Sequence, residues 1–188
     1  MCSNKVQQAQ QKNTKATEEY VKKKYSNERF ISVISQLKSP NKYSKGLVIP
    51  KNVKVAESRM PINAVQRKIL RKELLQAEIL AKNGNSVYLI PEHGRYGERL
   101  KDAVVNGQLF EFRSITGNAR TLEWEFGAAK GKGDDTNVFI NIESSISKYE
   151  VRRRVGMVLK RPPEYTGKII ISFLSEEEIY FWDSSHFR

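Results

Sequence analysis

Residues 101–113 read KDAVVNGQLFEFR, and the pair at the centre of this stretch sets the reading of the rest. Asn106 and Gly107 both tolerate positive φ, which a two-residue type I′ turn requires, so the segment reads as a tight β-hairpin. With these two residues at the loop positions the register follows. Val105 faces Gln108, Val104 faces Leu109, Ala103 faces Phe110 and Asp102 faces Glu111. Residues directly opposite share a face, with Cβ atoms roughly 5 Å apart. Arg113, two positions beyond Glu111, falls on that face as well. Two carboxylates at that range repel and raise one another's pKa unless a cation lies between them. Carboxylates with water are what Mg2+ or Mn2+ prefers, so Asp102 and Glu111 are candidate ligands of a divalent metal. The bland alternative is a sheet edge on which both acids are solvated.

The flanking segments supply the frame. NAVQRKILRKELLQAEILAKNG, residues 63–84, carries Ile69, Leu70, Leu74, Ala77, Leu80 and Ala81 as one apolar stripe. Asn63 with Gln66 is a capping signal and Gly84 a stop, so this is a helix of about twenty residues. Glu73 lies one turn before Ala77 on its inner edge, placed to add a third acid to the hairpin pair. SVYLIP reads as a strand ended by Pro91, and the polar EHGRYGER loop leads into the hairpin. After it come a helix with Leu122, Phe126 and Ala129, the strand NVFINIE, a helix over ISKYEVRRRVGMVLK, and the strands KIIISFL and EIYFWD. Helix, three strands, helix, strand, helix and two strands make an α/β fold with a mixed sheet.

The first sixty residues read differently. Residues 1–25 are polar and fit a solvated helix or a disordered arm. NERFISVISQL places Phe30, Ile31, Val33, Ile34 and Leu37 at helical spacing. SPNKYSKG is a loop, and LVIPKNVKV a short strand or extended linker. The expected division is a basic N-terminal arm over 1–60 and an α/β domain over 61–188. Charge follows it. Residues 1–60 hold 13 Lys/Arg and 4 Asp/Glu, residues 61–188 hold 20 and 17, and the 188-residue chain has net charge +12. A basic arm is a common source of sequence-independent phosphate affinity, which favours nucleic acid as partner. Cys2 is the one cysteine, so an intrachain disulfide and a cysteine-based zinc site are both excluded. MCSNKVQQAQQKNTKATEEY has no apolar core of a secretory signal, and no run of eighteen apolar residues predicts a membrane span. The expected location is cytoplasmic.

Glu73, Ala77, Leu80, Ala81 and Gly84 form the pattern E-x-x-x-A-x-x-L-A-x-x-G, followed in order by VYLIPE, KDAVVNGQLFEFR, SITGNART, a helix and NVFINI. Over roughly residues 65–185 this resembles the C-terminal tRNA-nuclease domain of contact-dependent growth-inhibition toxins (the CdiA type), which is similar to the PD-(D/E)XK nuclease superfamily. The resemblance implies a restriction-endonuclease-like core, metal-dependent hydrolysis of phosphodiester bonds, tRNA ahead of DNA as substrate, an immunity protein as a candidate partner, and delivery into a target-cell cytoplasm. It implies Asp102 and Glu111 as the metal-binding acids, Glu73 as the helix acid, and Arg113 where the family carries Lys. The Pro usual before the Asp is Lys101 here. Arg cannot act as a general base, though it clamps a phosphate oxygen well. That departure supports an alternative function: a catalytically lapsed nucleic-acid-binding protein on the same scaffold. A further alternative is a mobile-element interaction protein whose basic arm docks on a partner.

Thr116, Asn118 and Arg120 offer donors beside a helix start and are candidate phosphate contacts, with an ordinary cap as the competing reading. Lys130 and Lys132 are candidates for contact with a nucleic-acid backbone in a loop otherwise read as solvated. Trp124, Phe181 and Trp182 are expected in the core, with base-stacking platforms as the competing reading. His93 precedes the hairpin and His186 lies near the end of the chain.

Overall fold

Asn106 and Gly107 have φ of 50° and 80°, the signs that a type I′ turn demands. They join β4 (Ala103–Val105) to β5 (Gln108–Ile115). A computed structural model describes residues 2–92, 101–133, 135–162, 164–173 and 179–182, with side chains from residue 7 onward. The loop EHGRYGER beyond Glu92, with His93, and also His186 lie outside the described residues. The chain is α/β, and it divides into two compact units between Leu109 and Phe110.

The first unit carries α1 (Cys2–Lys24), β1 (Phe30–Ile31), β2 (Val53–Ala56), α2 (Ala64–Lys82), β3 (Val87–Leu89) and β4. Its strands are ordered β1-β2-β3-β4 in a mixed sheet: β1 is antiparallel to β2, β2 parallel to β3, and β3 antiparallel to β4. The α2 helix starts where its sequence predicts. The Asn63 side chain accepts from Gln66 N at 2.9 Å, and Gln66 Oε1 accepts from Ile62 N at 2.9 Å. This reciprocal cap satisfies two amides that a helix start leaves open. Gly84, with φ of 78°, stops the helix. Leu70, Leu74, Ala77, Leu80 and Ala81 are buried with Glu73 among them.

Two expectations for the first sixty residues are corrected. NERFISVISQL is not a helix. Phe30 and Ile31 pair with Ala56 and Val55, and a single 3-10 turn follows at Ile34–Gln36, with Gln36 Oε1 accepting from Ser32 N and Val33 N. A β-branched and aromatic run suits a strand, and the sheet edge offered by β2 outweighs the helical spacing. Nor do residues 1–60 form a separate arm, since they share the first compact unit with residues 61–109. The physical reason is α1. It is a helix whose Val21 joins Tyr88, Ile90 and Val104 in a buried apolar cluster. Its Thr17 is fully buried and accepts from Gly107 N at 3.1 Å.

The second unit holds β5 from Phe110 onward, α3 (Ala119–Lys130), β6 (Asn137–Ile142), α4 (Lys148–Leu159), β7 (Ile169–Phe173) and β8 (Ile179–Trp182). β5 is parallel to β6, β6 is parallel to β7 and β8 is antiparallel to β7, so the strands of this unit are mixed in direction too. Each parallel step is crossed by a helix, as parallel strands require. Leu122, Phe126 and Ala129 of α3 pack with Val151, Val155 and Val158 of α4 on Ile115, Ile140, Ile142 and Ile171. Asn118 and Ser147 cap the two helices. No helix among the described residues is long and apolar enough to cross a membrane.

Candidate functional site

Glu73 lies on the buried face of α2 with 9% of its surface exposed. An isolated carboxylate there would be costly, and the first unit answers with Arg59. This arginine ends the 3-10 turn Glu57–Arg59 that follows β2, and is 6% exposed. Its Nη2 lies 2.5 Å from Glu73 Oε1 and 3.8 Å from Asp102 Oδ1. Its Nη1 donates to the carbonyls of Ile90 at 2.5 Å and Asp102 at 2.8 Å. One guanidinium thus fixes the strand end carrying Asp102 and holds both acids. Burial pushes the Glu73 carboxyl up to about 7, with Arg59 opposing and the Asp102 charge adding to the rise. Glu73 Oε2 is buried with no hydrogen-bond partner among the described residues.

In the second unit Glu111 is 1% exposed on β5. Its Oε1 takes two cations: Arg113 Nη2 at 2.7 Å, and the ammonium of Lys132, which donates to the same oxygen. Glu111 Oε2, like Glu73 Oε2, is buried without a hydrogen-bond partner among the described residues. Arg113 Nε lies 3.6 Å from Glu125 Oε2, which ties β5 to α3. The parallel neighbours of Glu111 and Arg113 on β6 are Val138 and Ile140, so apolar groups flank the charged row.

The expectation that the acids depend on a metal to coexist is therefore revised. Each has a cation from the chain itself: Arg59 for Glu73 and Asp102, Arg113 and Lys132 for Glu111. Among the described residues, no three His, Cys, Asp or Glu side chains form a group that could hold a metal ion. The donor chemistry nevertheless suits a divalent cation at one atom in each unit taken by itself, Glu73 Oε2 in the first and Glu111 Oε2 in the second. Both orphaned oxygens belong to carboxylates, the hard ligands that Mg2+ and Mn2+ take.

Asn118 is used as a cap: its Oδ1 accepts from Arg120 N at 3.0 Å and Thr121 N at 3.3 Å, the amides a phosphate would take at that helix start. Thr116 and Arg120 are exposed beside it. Lys130 is corrected. It is buried, with its ammonium donating to the carbonyls of Val158 and Arg161 near the end of α4, and so is withdrawn from a nucleic-acid backbone. Lys132, two residues on, is the lysine that reaches the acid. Trp124 and Phe181 are corrected too: both are exposed, whereas Trp182 packs partly buried against the core. Sequence reasoning missed Arg59 and Glu125 altogether. Lys132 was legible as a loop cation between glycines, without its partner.

Comparison with protein-family models, with curated proteins and with solved structures finds no match to this chain.

Proposed function

We propose that this protein is a metal-dependent endonuclease with a restriction-endonuclease-like core, acting on RNA, with tRNA favoured and DNA the other candidate substrate. The observation that carries the reading is Glu111, a buried carboxylate with two cations on Oε1 and no hydrogen-bond partner on Oε2 among the described residues. A buried polar atom left without a partner costs about 1–3 kcal/mol, and more when charged. A coordinated cation removes that cost. Glu111 is the first ligand on this reading, Asp102 is the second by the hairpin register that the sequence predicts, and Glu73 assists. When bound, Mg2+ or Mn2+ supplies charge neutralisation at the phosphate and an acidified water.

The remaining roles belong to side chains of the chain. Arg113, held by Glu111 and Glu125, presents a guanidinium to a phosphate oxygen, an interaction that favours the charge developing during attack. Lys132 holds its ammonium at Glu111 and takes the position of a lysine beside the acid that Arg113 cannot fill as a base. Glu73 keeps a proton near neutrality through burial and orients Asp102 through Arg59. An immunity protein and delivery into a target cell accompany this reading through the family resemblance alone.

A second reading, a lapsed nuclease that binds nucleic acid without cutting it, has its own support. Arg59, Arg113 and Lys132 already oppose the acids, so the fold holds them without a metal. Incubation of the protein with labelled tRNA and labelled DNA, with Mg2+ or Mn2+ and with chelator, separates the two. Metal-dependent cleavage selects the nuclease. A mobility shift without cleavage selects the lapsed protein.

A further inference from the structure

Trp124 is 69% exposed on α3, although the core of the second unit has room for aromatic side chains such as Phe126 and Tyr165, both buried. It borders a cavity of about 640 Å3 that is also lined by Glu123, Gly127, Gly131, Gly133 and Arg161. The glycines leave stretches of the cavity wall without side chains, and a Cβ added at Gly127 meets nothing within 4 Å. The rim is cationic. Arg161 is 56% exposed and directs its Nη2 to Glu123, and Arg120 is exposed one turn before Trp124 on the same helix face. Glu123 carries one negative charge against two guanidiniums, Arg161 and Arg154, and so offsets only part of the cationic rim. The Arg161 and Arg154 guanidiniums beside it hold its carboxyl below the usual range, so it stays paired and ionised.

We propose that this face of α3 is a stacking platform for an unpaired base of single-stranded nucleic acid, with Trp124 under the base and Arg161 and Arg120 at the flanking phosphates. The occupant follows from the chemistry. A flat indole in an open groove of backbone offers a π-face and few side-chain donors to read an edge, which suits any base and no particular one. The guanidiniums of Arg120 and Arg161 complement the phosphates of a polyanion. A duplex keeps its base faces stacked inside, so only an unpaired segment can reach the indole. The inference rests on the nucleic-acid reading and refines it: the strand engaged by the second unit is single-stranded beside the candidate site.

Binding is read without cleavage, in chelator throughout. In a Trp182→Phe protein, Trp124 is the sole tryptophan. An oligouridylate of about ten nucleotides, within the span of known single-strand sites, is expected to quench its fluorescence to saturation. A blunt RNA duplex of equal length is expected to quench little. By anisotropy of the labelled strand, Trp124→Ala is expected to weaken oligouridylate binding roughly tenfold, the range of one base stack removed. Arg161→Ala should weaken it less and flatten its salt dependence. Trp124→Ala binding as tightly as the parent, or quenching by the duplex as strong as by the single strand, overturns the platform. A protein that binds in this way and never cuts keeps the platform and loses only the nuclease reading. A protein that cuts with Mg2+ and shows no dependence on Trp124 keeps the nuclease and loses the platform.

Discussion

Arg113 and Glu111, two positions apart on β5, form an ion pair with Nη2 2.7 Å from Oε1, and the Glu111 oxygen that remains has no hydrogen-bond partner among the described residues. The arginine therefore occupies one oxygen of the carboxylate, and on the proposed reading the other oxygen takes the metal. It also reaches Glu125. A side chain with two acidic neighbours is held in one place, which is what a phosphate clamp needs.

Arg113→Lys is expected to retain or raise metal-dependent cleavage, because it keeps the charge next to Glu111. Arg113→Ala is expected to lose most of it, since donors at such sites are worth about 3 kcal/mol of barrier. Initial cleavage rates of the two variants against the parent measure this. Equal rates for Arg113→Ala and the parent make the side chain structural.

Arg59→Met is expected to destabilise the first unit by roughly 3–5 kcal/mol, the usual result of leaving a buried charge without its partner. Glu73 and Asp102 both lose their guanidinium, and the carbonyls of Ile90 and Asp102 lose a donor. Urea unfolding reports it. A midpoint within error of the parent removes Arg59 from its place as the keystone of this cluster.

Glu73 should make stability depend on pH when metal is chelated. Its folded pKa is raised by burial from 4.5 to about 7, so the folded state keeps a proton that the unfolded chain releases between these values. The contribution is full below the lower value and is lost as pH rises through the upper one, a total on the order of 3 kcal/mol. Glu73→Gln does not titrate. The Tm of the parent relative to Glu73→Gln is therefore expected to fall across that window, and a constant difference contradicts the assignment.

Deletion of residues 1–60 is expected to abolish cooperative folding of the first unit, because it removes α1, β1 and β2 together. The basic charge is better tested without cutting the chain. Lys12, Lys15, Lys22 and Lys23 are exposed on α1, and changing them to Gln spares Thr17 and Val21. Nucleic-acid binding by that variant is expected to show a salt slope lower by about 0.7–0.9 for each phosphate that α1 no longer neutralises. An unchanged slope takes α1 out of the binding surface.

What was legible in the sequence was local. Asn63 and Gln66 cap α2 from three residues apart, Gly84 ends it, and Asn106-Gly107 sets a turn whose φ signs hardly another pair could take. These features act over a few bonds, so neighbouring residues announce them. The elements that failed were decided at long range. Phe30 and Ile31 have helical spacing but pair with β2, and α1 looks polar enough to be solvated until Tyr88, Ile90 and Val104 cover Val21. The candidate acids were visible by type and position. Their cations were not. Arg59 is 14 residues from Glu73 and 43 from Asp102, and Lys132 is 21 from Glu111. Trp124 was misjudged by residue type against its own periodicity: between Glu123 and Glu125 and two residues from both Leu122 and Phe126, it lies about 200° round the helix from the buried stripe.

Whether Glu111 holds a divalent cation is tested without any substrate by Mn2+ binding followed by electron paramagnetic resonance. The parent is expected to bind Mn2+ at one site, to lose it to chelator and to exchange it for Mg2+. Glu111→Gln, checked as folded by circular dichroism, is expected to leave Mn2+ free over the same range. Equal Mn2+ binding by the parent and a folded Glu111→Gln, or none by either, contradicts the account.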